Sequence, residues 1–257
     1  MSLPRIAIAA SPTEAAQKAA QTLQKAYEFV DQREADLLVA LGGDGFMLEV
    51  LHEMLDMHRP LPVFGMNLGT IGFLMNEYRT DRLMDRLQRA RRVSFNPLEM
   101  EAHTIGGNRV ISAAINEVSL LRETRQTAKV RITIDGRVRL QELVCDGVLV
   151  ATPPGSTAYN LSAHGPILPL ESSLLALTPI SPFRPRRWRG ALIPDSAIIE
   201  FHILDAAKRP VSAVADQREV RDVSHVIVAT NRATKLTLLF DPDQALDDRI
   251  VAEQFAT

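Results

Sequence analysis

Short apolar runs that alternate with helical patterns limit the fold of the first ninety residues. The runs lie at Arg5–Ala10, Ala35–Leu41 and Pro62–Met66. Each is almost continuously apolar, as in a strand that is buried on both faces of a parallel sheet. Helical patterns follow Ser11, over an Ala-rich stretch, and cover Phe46–Met57. This alternation predicts an α/β domain with helices packed on a parallel sheet.

The middle of the chain has a different pattern. After a third predicted helix over Arg79–Arg92, residues alternate between apolar and polar, as in Val130–Ile134, which Asp135-Gly136 follows as a hairpin turn. Further short strands with Gly, Pro and Asp between them indicate antiparallel sheets. We therefore predict an α/β domain over residues 1–95 and a β-rich domain over 96–230. The tail, about residues 231–257, contains the apolar run Leu236–Phe240, and whether it packs back onto the first domain stays open.

Composition excludes several classes of protein. Of 257 residues, 46% are hydrophobic and 23% are charged, which is typical of a globular chain and not of a disordered one. The net charge of −2 gives no basic field for nucleic acid. No apolar run approaches the roughly 20 residues that span a bilayer. The single cysteine, Cys145, cannot form an internal disulfide. We expect a cytoplasmic protein with no nucleic-acid or membrane partner.

A glycine-rich loop, Leu41–Gly45 (LGGDG), connects the second strand to the helix after it. Its glycines permit positive φ and a close approach of the backbone to a ligand. The N-terminus of the helix then offers unpaired N–H groups to a phosphate. A carboxylate repels phosphate, so Asp44 needs another reason, either a magnesium ion or the proton of an attacking hydroxyl. The alternative is a tight turn in which Asp44 is the N-cap.

A second loop, Asn67–Leu74 (NLGTIGFL), follows the third strand. Loops at the carboxyl ends of parallel strands form the ligand crevice of open α/β sheets, so we expect both loops to face one crevice. Phe73 is a candidate to stack on a base, although a loop phenylalanine more often belongs to the core.

The pair Asn116-Glu117 stands inside an apolar run. An amide beside a carboxylate suits paired ribose hydroxyls, since the carboxylate accepts and the amide both donates and accepts. A polar pair at a strand edge or bulge is the alternative, and it is the more common one for such a dipeptide.

Four hydroxyls lie close together in the segment Asp146–Ser162, which runs from a strand through Pro-Pro-Gly into a short helix. They belong to Ser156, Thr157, Tyr159 and Ser162. Hydroxyls at the start of a helix suit a phosphate or a nucleotide. A simple helix cap is the alternative, but a cap does not require all four.

Other candidate groups carry weaker signals. The six histidines show no metal-binding spacing, so we predict no metal site made of protein ligands alone. The basic segment Arg184–Arg189 is either a contact for donor phosphates or for an oligomer partner, or a solvated loop.

Taken in order, four motifs resemble the NAD kinase family: GGDG at Gly42–Gly45, NLGTIGFL at Asn67–Leu74, NE at Asn116–Glu117 and DG-x5-PPGSTAY-x2-S at Asp146–Ser162. The resemblance implies an N-terminal α/β domain with a Rossmann-like parallel sheet and an all-β, β-sandwich-like C-terminal domain. It implies transfer of a phosphoryl group from ATP, or polyphosphate in some members, to the 2′-hydroxyl of the adenosine ribose of NAD.

Roles for single residues also follow from the resemblance. It implies that Asp44 is the catalytic base and that Gly42, Gly43 and Gly45 cradle the donor phosphates. The residues that it implies for NAD binding are Asn67, Phe73, Asn116, Glu117, Asp146, Thr157, Ala158, Tyr159 and Ser162. Among these, the 116–117 pair is implied to hold ribose, and Asp146 the nicotinamide side.

The remaining expectations concern the cation, the oligomeric state and the alternative functions. Mg²⁺, or another divalent cation, is expected to be bound mainly through the donor phosphates. The resemblance also implies a homodimer or homotetramer. A lipid or sphingoid kinase with the same GGDG loop and a non-catalytic NAD-binding sensor are the alternative functions. The donor range and the preference between NAD and NADH stay open.

Overall fold

The computed structural model describes residues 4–69 and 72–242. These residues divide into two compact units, each with its own apolar core. The first comprises residues 4–69, 72–95 and 234–242, and the second comprises residues 96–233. Together they have the predicted fold class, which is an α/β unit followed by an antiparallel β unit.

The strands of the first unit are β1 (Ile6–Ala10), β2 (Leu37–Gly42), β3 (Val63–Asn67), β4 (Asn76–Glu77) and β5 (Arg91–Phe95). The strands of the second are β6 (Leu98–Thr104), β7 (Arg109–Ala114), β8 (Glu117–Arg122), β9 (Ala128–Ile134), β10 (Arg137–Cys145), β11 (Gly147–Ala151), β12 (Leu174–Ile180), β13 (Ala191–Pro194), β14 (Ile199–Ile203), β15 (Val211–Ala215), β16 (Arg218–Val220) and β17 (Val223–Thr230). Strand β18 (Leu236–Phe240) belongs to the first unit. The helices are α1 (Glu14–Ala26), α2 (Asp44–Asp56), α3 (Leu83–Arg89) and α4 (Tyr159–Ser162), and a 3₁₀ turn covers Pro154–Thr157.

The sheet of the first unit has the order β1-β2-β3-β18-β5, with β4 paired to β3. Strands β1, β2, β3 and β18 are parallel along this order, and β5 is antiparallel to β18. Apolar residues of α1 recur at helical spacing and are buried: Ala16, Ala19, Ala20 and Leu23. The Thr13 hydroxyl caps this helix by accepting from the Ala16 amide.

The predicted helix over Arg79–Arg92 was wrong at both ends, since α3 covers only Leu83–Arg89. The chain is already a strand at Arg91, where β5 pairs with β18. Helical spacing in the sequence was overridden by a strand partner that lies far along the chain. Arg86 of α3 is buried and pairs with the carboxylate of Asp241.

The second unit consists of two six-stranded antiparallel sheets, with the orders β10-β9-β14-β17-β6-β7 and β13-β12-β11-β8-β15-β16. One apolar cluster contains buried residues from both sheets, so the sheets enclose a common core, as in a sandwich. The hairpin turn between β9 and β10 has positive φ at Asp135 and Gly136, which is typical of a two-residue hairpin loop.

The apolar run Leu236–Phe240 of the tail forms β18, which lies between β3 and β5 in the sheet of the first unit. Residues 243–257 of that tail lie outside the described residues. Among the residues that are described, no helix has the length and apolar character to cross a membrane.

Candidate active site

The glycine-rich loop forms the end of β2 and the start of α2. Gly43 is the N-cap of α2 and has an extended backbone with φ −120°, and no side chain caps the helix. Glycine permits positive φ, but none of Gly42, Gly43 and Gly45 is among the described residues that adopt it. The N-cap alternative for Asp44 was wrong, because Asp44 is the first residue of the helix.

The three glycines differ in what surrounds them. A Cβ atom at Gly42 would lie 2.8 Å from Cβ of Phe46, so the close packing of strand and helix requires glycine there. At Gly43 and Gly45 an added Cβ would meet nothing within 4 Å. Open space beside the N-terminus of a 13-residue helix is what a phosphate group needs in order to reach backbone N–H groups.

The carboxylate of Asp44 is held by the second loop. Its Oδ2 accepts the amide N–H of Phe73 at 2.8 Å, and its Oδ1 accepts that of Leu74 at 3.2 Å. The loop passes so close that a Cβ at Gly72 would lie 2.2 Å from Oδ1. Gly72 thus lets the loop backbone contact the carboxylate, a role that sequence reasoning missed.

Asn67 and Phe73 lie at the same edge of the sheet as Asp44. Gly42 and Asn67 are register partners at the ends of β2 and β3. The buried side chain of Asn67 accepts the Gly69 amide at 3.0 Å, and so it shapes the start of the second loop. The described part of this loop ends at Gly69 and resumes at Gly72, and the Phe73 side chain is partly buried.

In the second unit, one carboxylate orients the segment that contains the pair 116–117. Asp216 Oδ2 accepts the amide of Ile115 at 2.6 Å, and its Oδ1 accepts those of Asn116 and Glu117 at 3.0 and 3.1 Å. Asp216 stands in the turn between β15 and β16 with φ 51°, a conformation that aspartate tolerates better than most residues. Its position 99 residues beyond Glu117 left no local signal in the sequence.

Glu117 is an unusual carboxyl group. Burial raises its pKa to about 7, and the charge of Asp216 contributes to the shift. Its Oε2 is buried and has no hydrogen-bond partner among the described residues. A buried polar atom without a partner is costly, so its presence points to a ligand that supplies one. The pKa of Tyr159 is raised by burial and by the charges of Glu117 and Asp146.

The neighbouring hydroxyls of Ser156 and Thr157 have different surroundings. Ser156 is fully buried, and its Oγ donates to the Pro153 carbonyl at 2.7 Å and accepts the Leu168 amide at 2.9 Å. Ser156 therefore stabilises its own loop, and the prediction that it forms part of a nucleotide surface was wrong. Thr157 Oγ1 is 3.4 Å from the carbonyl of Pro154 and is partly buried.

The 3₁₀ turn packs directly on the segment that Asp216 orients. A Cβ at Gly155 would lie 2.1 Å from the carbonyl oxygen of Asn116. Thr152 donates from Oγ1 to the carbonyl of Ile115 at 2.7 Å and accepts the Gly155 amide at 3.0 Å. These contacts bring Thr152 and Gly155 next to Ile115 and Asn116, although the two segments are about 40 positions apart. Ala158 follows the 3₁₀ turn, and its amide donates to the carbonyl of Gly155 at 3.0 Å.

Tyr159 and Ser162 line a cavity of about 230 Å³ in the second unit. His164 lines it as well, and so do Trp188 and Arg189 from the basic segment. The basic segment thus contributes to the lining of a cavity, a role that the sequence analysis left open.

Asp146 forms an ion pair with Arg122, with 2.6 Å between Oδ1 and Nε, and both side chains remain partly exposed.

Family models and curated relatives that match this chain all describe NAD kinases. Residues 6–90 match the family described as the ATP-NAD kinase N-terminal domain, and residues 115–236 match the ATP-NAD kinase C-terminal domain. An NAD kinase of Rhizorhabdus wittichii is 68% identical over 98% of both chains. One of Zymomonas mobilis is 61% identical over 99% of both.

Two solved structures share the fold. A yeast NADH kinase complexed with NADH has a TM-score of 0.82 at 22% identity, covering 100% of this chain and 89% of that one. An NAD kinase from Archaeoglobus fulgidus in complex with ATP has a TM-score of 0.74 at 23% identity, covering 97% and 98%. With matches over both units and high identity along its length, the chain belongs to the NAD kinase family.

Proposed function

We propose that Asp44 is the general base in the reaction of this family, the phosphorylation of NAD at the 2′-hydroxyl of its adenosine ribose. The observation that carries the proposal is the position of the carboxylate, which two loop amides hold at the N-terminus of α2. A ribose hydroxyl is a poor nucleophile, so an aligned base that accepts its proton lowers the barrier. The hydroxyl oxygen forms a bond to the γ-phosphorus of ATP while the bond to the leaving ADP breaks, giving NADP.

The donor phosphates are proposed to lie at Gly43 and Gly45. The space beside both glycines is open, and the positive end of the α2 dipole favours an anion there. Gly42 positions this loop by its close packing on Phe46. Polyphosphate has the same chemistry of linked phosphates and is the alternative donor.

One carboxylate, that of Asp44, is available to a divalent cation at the proposed phosphate position. Mg²⁺ prefers oxygen ligands and is often held by one or two carboxylates together with substrate phosphates. Asp44 is a carboxylate beside the proposed phosphate position, so the donor phosphates would hold most of the ion and Asp44 would face it. When bound, Mg²⁺ neutralises charge on the transferred group.

Several residues are proposed to bind NAD. Glu117 and Asn116 would hold ribose hydroxyls, and a hydroxyl would supply the missing partner of Glu117 Oε2. Tyr159 and Ser162 would bind the dinucleotide within the cavity that they line. Four further residues are proposed to contact NAD: Asn67, Phe73, Thr157 and Ala158. Asp146 is proposed to contact the nicotinamide side.

The assembly and location of the enzyme are also proposals. We propose a homodimer or homotetramer, which is supported by the edge strands at both ends of each antiparallel sheet, since such edges are able to pair with another chain. The single cysteine, Cys145, is buried as a free thiol, which fits the cytoplasm. Light scattering of the purified chain measures the oligomeric state.

Steady-state formation of NADP from ATP, Mg²⁺ and NAD tests the role of Asp44. We expect Asp44→Asn to lower kcat by roughly 100-fold or more, as for loss of a general base. Glu49→Gln is the matched control, because it neutralises an exposed carboxylate on the same helix. Full activity of a folded Asp44→Asn variant would refute the assignment. Calorimetric binding of NAD without turnover of any donor by the unmodified chain would instead favour the non-catalytic sensor.

A further inference from the structure

A row of histidines crosses one sheet of the second unit. His103 on β6 is the register partner of His225 on β17, and His225 is the register partner of His202 on β14. The neighbouring residues Phe201 and Val226 are buried in the core, so the alternation along each strand places the three histidines on the opposite face. The rings of His202 and His225 stack with their centroids 4.2 Å apart.

A carboxylate joins two of these rings. Glu200 Oε2 lies 3.1 Å from Nε2 of His225 and 3.8 Å from Nε2 of His202. One ligand atom from each of the three residues lies within 4.8 Å of the other two. All three side chains are partly exposed, so an ion in solvent has access to them.

Two imidazoles and one carboxylate are a ligand set that zinc uses in proteins, with the fourth position left to water. Around a tetrahedral ion with bonds of about 2.0–2.1 Å, ligand atoms are roughly 3.3 Å apart. The distances from Glu200 Oε2 to the two Nε2 atoms, 3.1 and 3.8 Å, lie on either side of this value. Imidazole ligands favour Zn²⁺, Co²⁺ or Ni²⁺ over Mg²⁺ and Ca²⁺, which prefer oxygen.

We propose that Glu200, His202 and His225 form a binding site for a transition-metal cation of the zinc class. The rings of His202 and His225 are nearly parallel, with 7° between their planes, so binding requires them to turn until both Nε2 atoms face one ion. The terminal torsion of histidine is broad, and partly exposed rings are able to make this change.

The surroundings identify which groups belong to the site. His103 is not one of the proposed ligands, because its Nε2 is paired with Glu101 at 2.8 Å. The carboxylate of Glu101 also pairs with Arg109. Arg131 on β9 is the register partner of His202, and its positive charge opposes a cation there. The proposed site therefore consists of three ligands, with one neighbouring charge that weakens binding.

This site is separate from the residues proposed for NAD and ATP, none of which lies on β14 or β17. No spacing of histidines along the chain predicts it, because the ligands come from two strands that are 25 residues apart at Glu200 and His225. The metal would connect β14 and β17 by a bond that does not depend on the backbone ladder.

Titration calorimetry with Zn²⁺, on the full chain without an affinity tag, tests the proposal. We expect one ion per chain in this site, with the affinity lowered roughly 100-fold or more in His202→Ala and in His225→Ala, since each removes one of three ligands. His52→Gln controls for loss of a histidine elsewhere and is expected to bind as the unmodified chain does. Arg131→Gln is expected to bind more tightly, because it removes the opposing charge.

The absorption spectrum of the Co²⁺-loaded protein gives a second readout that does not depend on these variants. Intense visible bands of a tetrahedral ion, lost in Glu200→Gln, are expected. Equal Zn²⁺ affinity in the unmodified chain and both alanine variants would overturn the proposal. Absence of any Zn²⁺ or Co²⁺ binding to the unmodified chain would overturn it as well.

Discussion

The carboxylate of Asp44 and the backbone of Gly72 are in such close contact that a side chain at position 72 would overlap it, with 2.2 Å between the added Cβ and Oδ1. Asp44 begins the helix that follows β2, and Gly72 lies in the loop that follows β3. The position of the proposed base is therefore determined by a residue that has no functional group of its own.

Gly72→Ala is expected to displace Asp44 and to lower kcat by roughly 100-fold, since a shift of about 1 Å at a reacting group has effects of this size. Gly69→Ala is the matched control in the same loop, because its added Cβ would meet only Asn67 Oδ1, at 4.0 Å. The two rates of NADP formation, compared at saturating substrates, check the prediction. Unchanged activity in Gly72→Ala would show that the contact does not position the base.

Gly43→Ala and Gly45→Ala are expected to keep the fold and impair the donor site. An added Cβ meets no protein atom within 4 Å, so the free energy of unfolding should change by less than about 0.5 kcal/mol for Gly43→Ala. It should rise by up to about 1 kcal/mol for Gly45→Ala, which lies in a helix. We expect KM for ATP to increase about tenfold, because the Cβ would fill the proposed phosphate space. Denaturant unfolding and kinetics separate the two effects.

Asp216→Asn is expected to weaken NAD binding without removing a group that touches NAD. It replaces one acceptor oxygen by an NH₂ group facing the amides of residues 115–117, at a cost of about 1–3 kcal/mol in unfolding free energy. We expect KM for NAD to rise more than KM for ATP. Asp205→Asn is the control, since Asp205 is also an aspartate with positive φ in the same unit. Equal changes in both KM values would argue against a positioning role.

Glu117 predicts a dependence of stability on pH. Because burial raises its pKa to about 7 from 4.5, the folded chain binds the proton more tightly than the unfolded chain. This contribution to stability is fully present below about pH 4.5 and is lost as the pH rises toward about 7. Glu117→Gln should remove a decline of roughly 1–3 kcal/mol over this window. Denaturant unfolding at pH 5 and pH 7.5 measures it, and the same decline in the variant would contradict the assignment.

The buried ion pair of Arg86 and Asp241 predicts a large stability effect. Two hydrogen bonds of 2.9 and 2.7 Å join the side chains, and Arg86 also donates to the carbonyls of Glu77 and Arg79. Asp241→Asn should lower the unfolding free energy by about 3–5 kcal/mol, because it leaves a buried charge unpaired. Glu14→Gln, in an exposed pair with Lys18, should change it by less than about 0.5 kcal/mol. Comparable effects of the two variants would be contrary to this expectation.

Local patterns predicted most elements of the first unit. The apolar runs placed β1, β2 and β3 within one or two residues of their ends, and the glycine-rich loop stands between β2 and α2 as expected. These features depend on neighbours in the chain, which periodicity and capping report directly.

Contacts between distant residues were beyond the reach of these patterns. Asp216 orients Glu117 from 99 positions away, and Asp241 pairs with Arg86 across 155 positions. Ser156 has the same hydroxyl as its neighbour Thr157, yet it faces the interior, and no local pattern distinguishes the two. Tertiary packing decides the direction of such side chains, and it also ended the predicted third helix early, where β5 pairs with β18.

The place of β18 between β3 and β5 has a consequence for biosynthesis. Ser94 on β5 contacts Thr237 on β18 across 143 residues, so the sheet of the first unit is complete only after the whole second unit has left the ribosome. Until then the flank of β3 that β18 will cover lacks its strand, and an uncovered strand edge is a site for aggregation. The nascent chain is therefore most vulnerable during translation of its second unit, and helper proteins that shield unpaired strands would act in that interval.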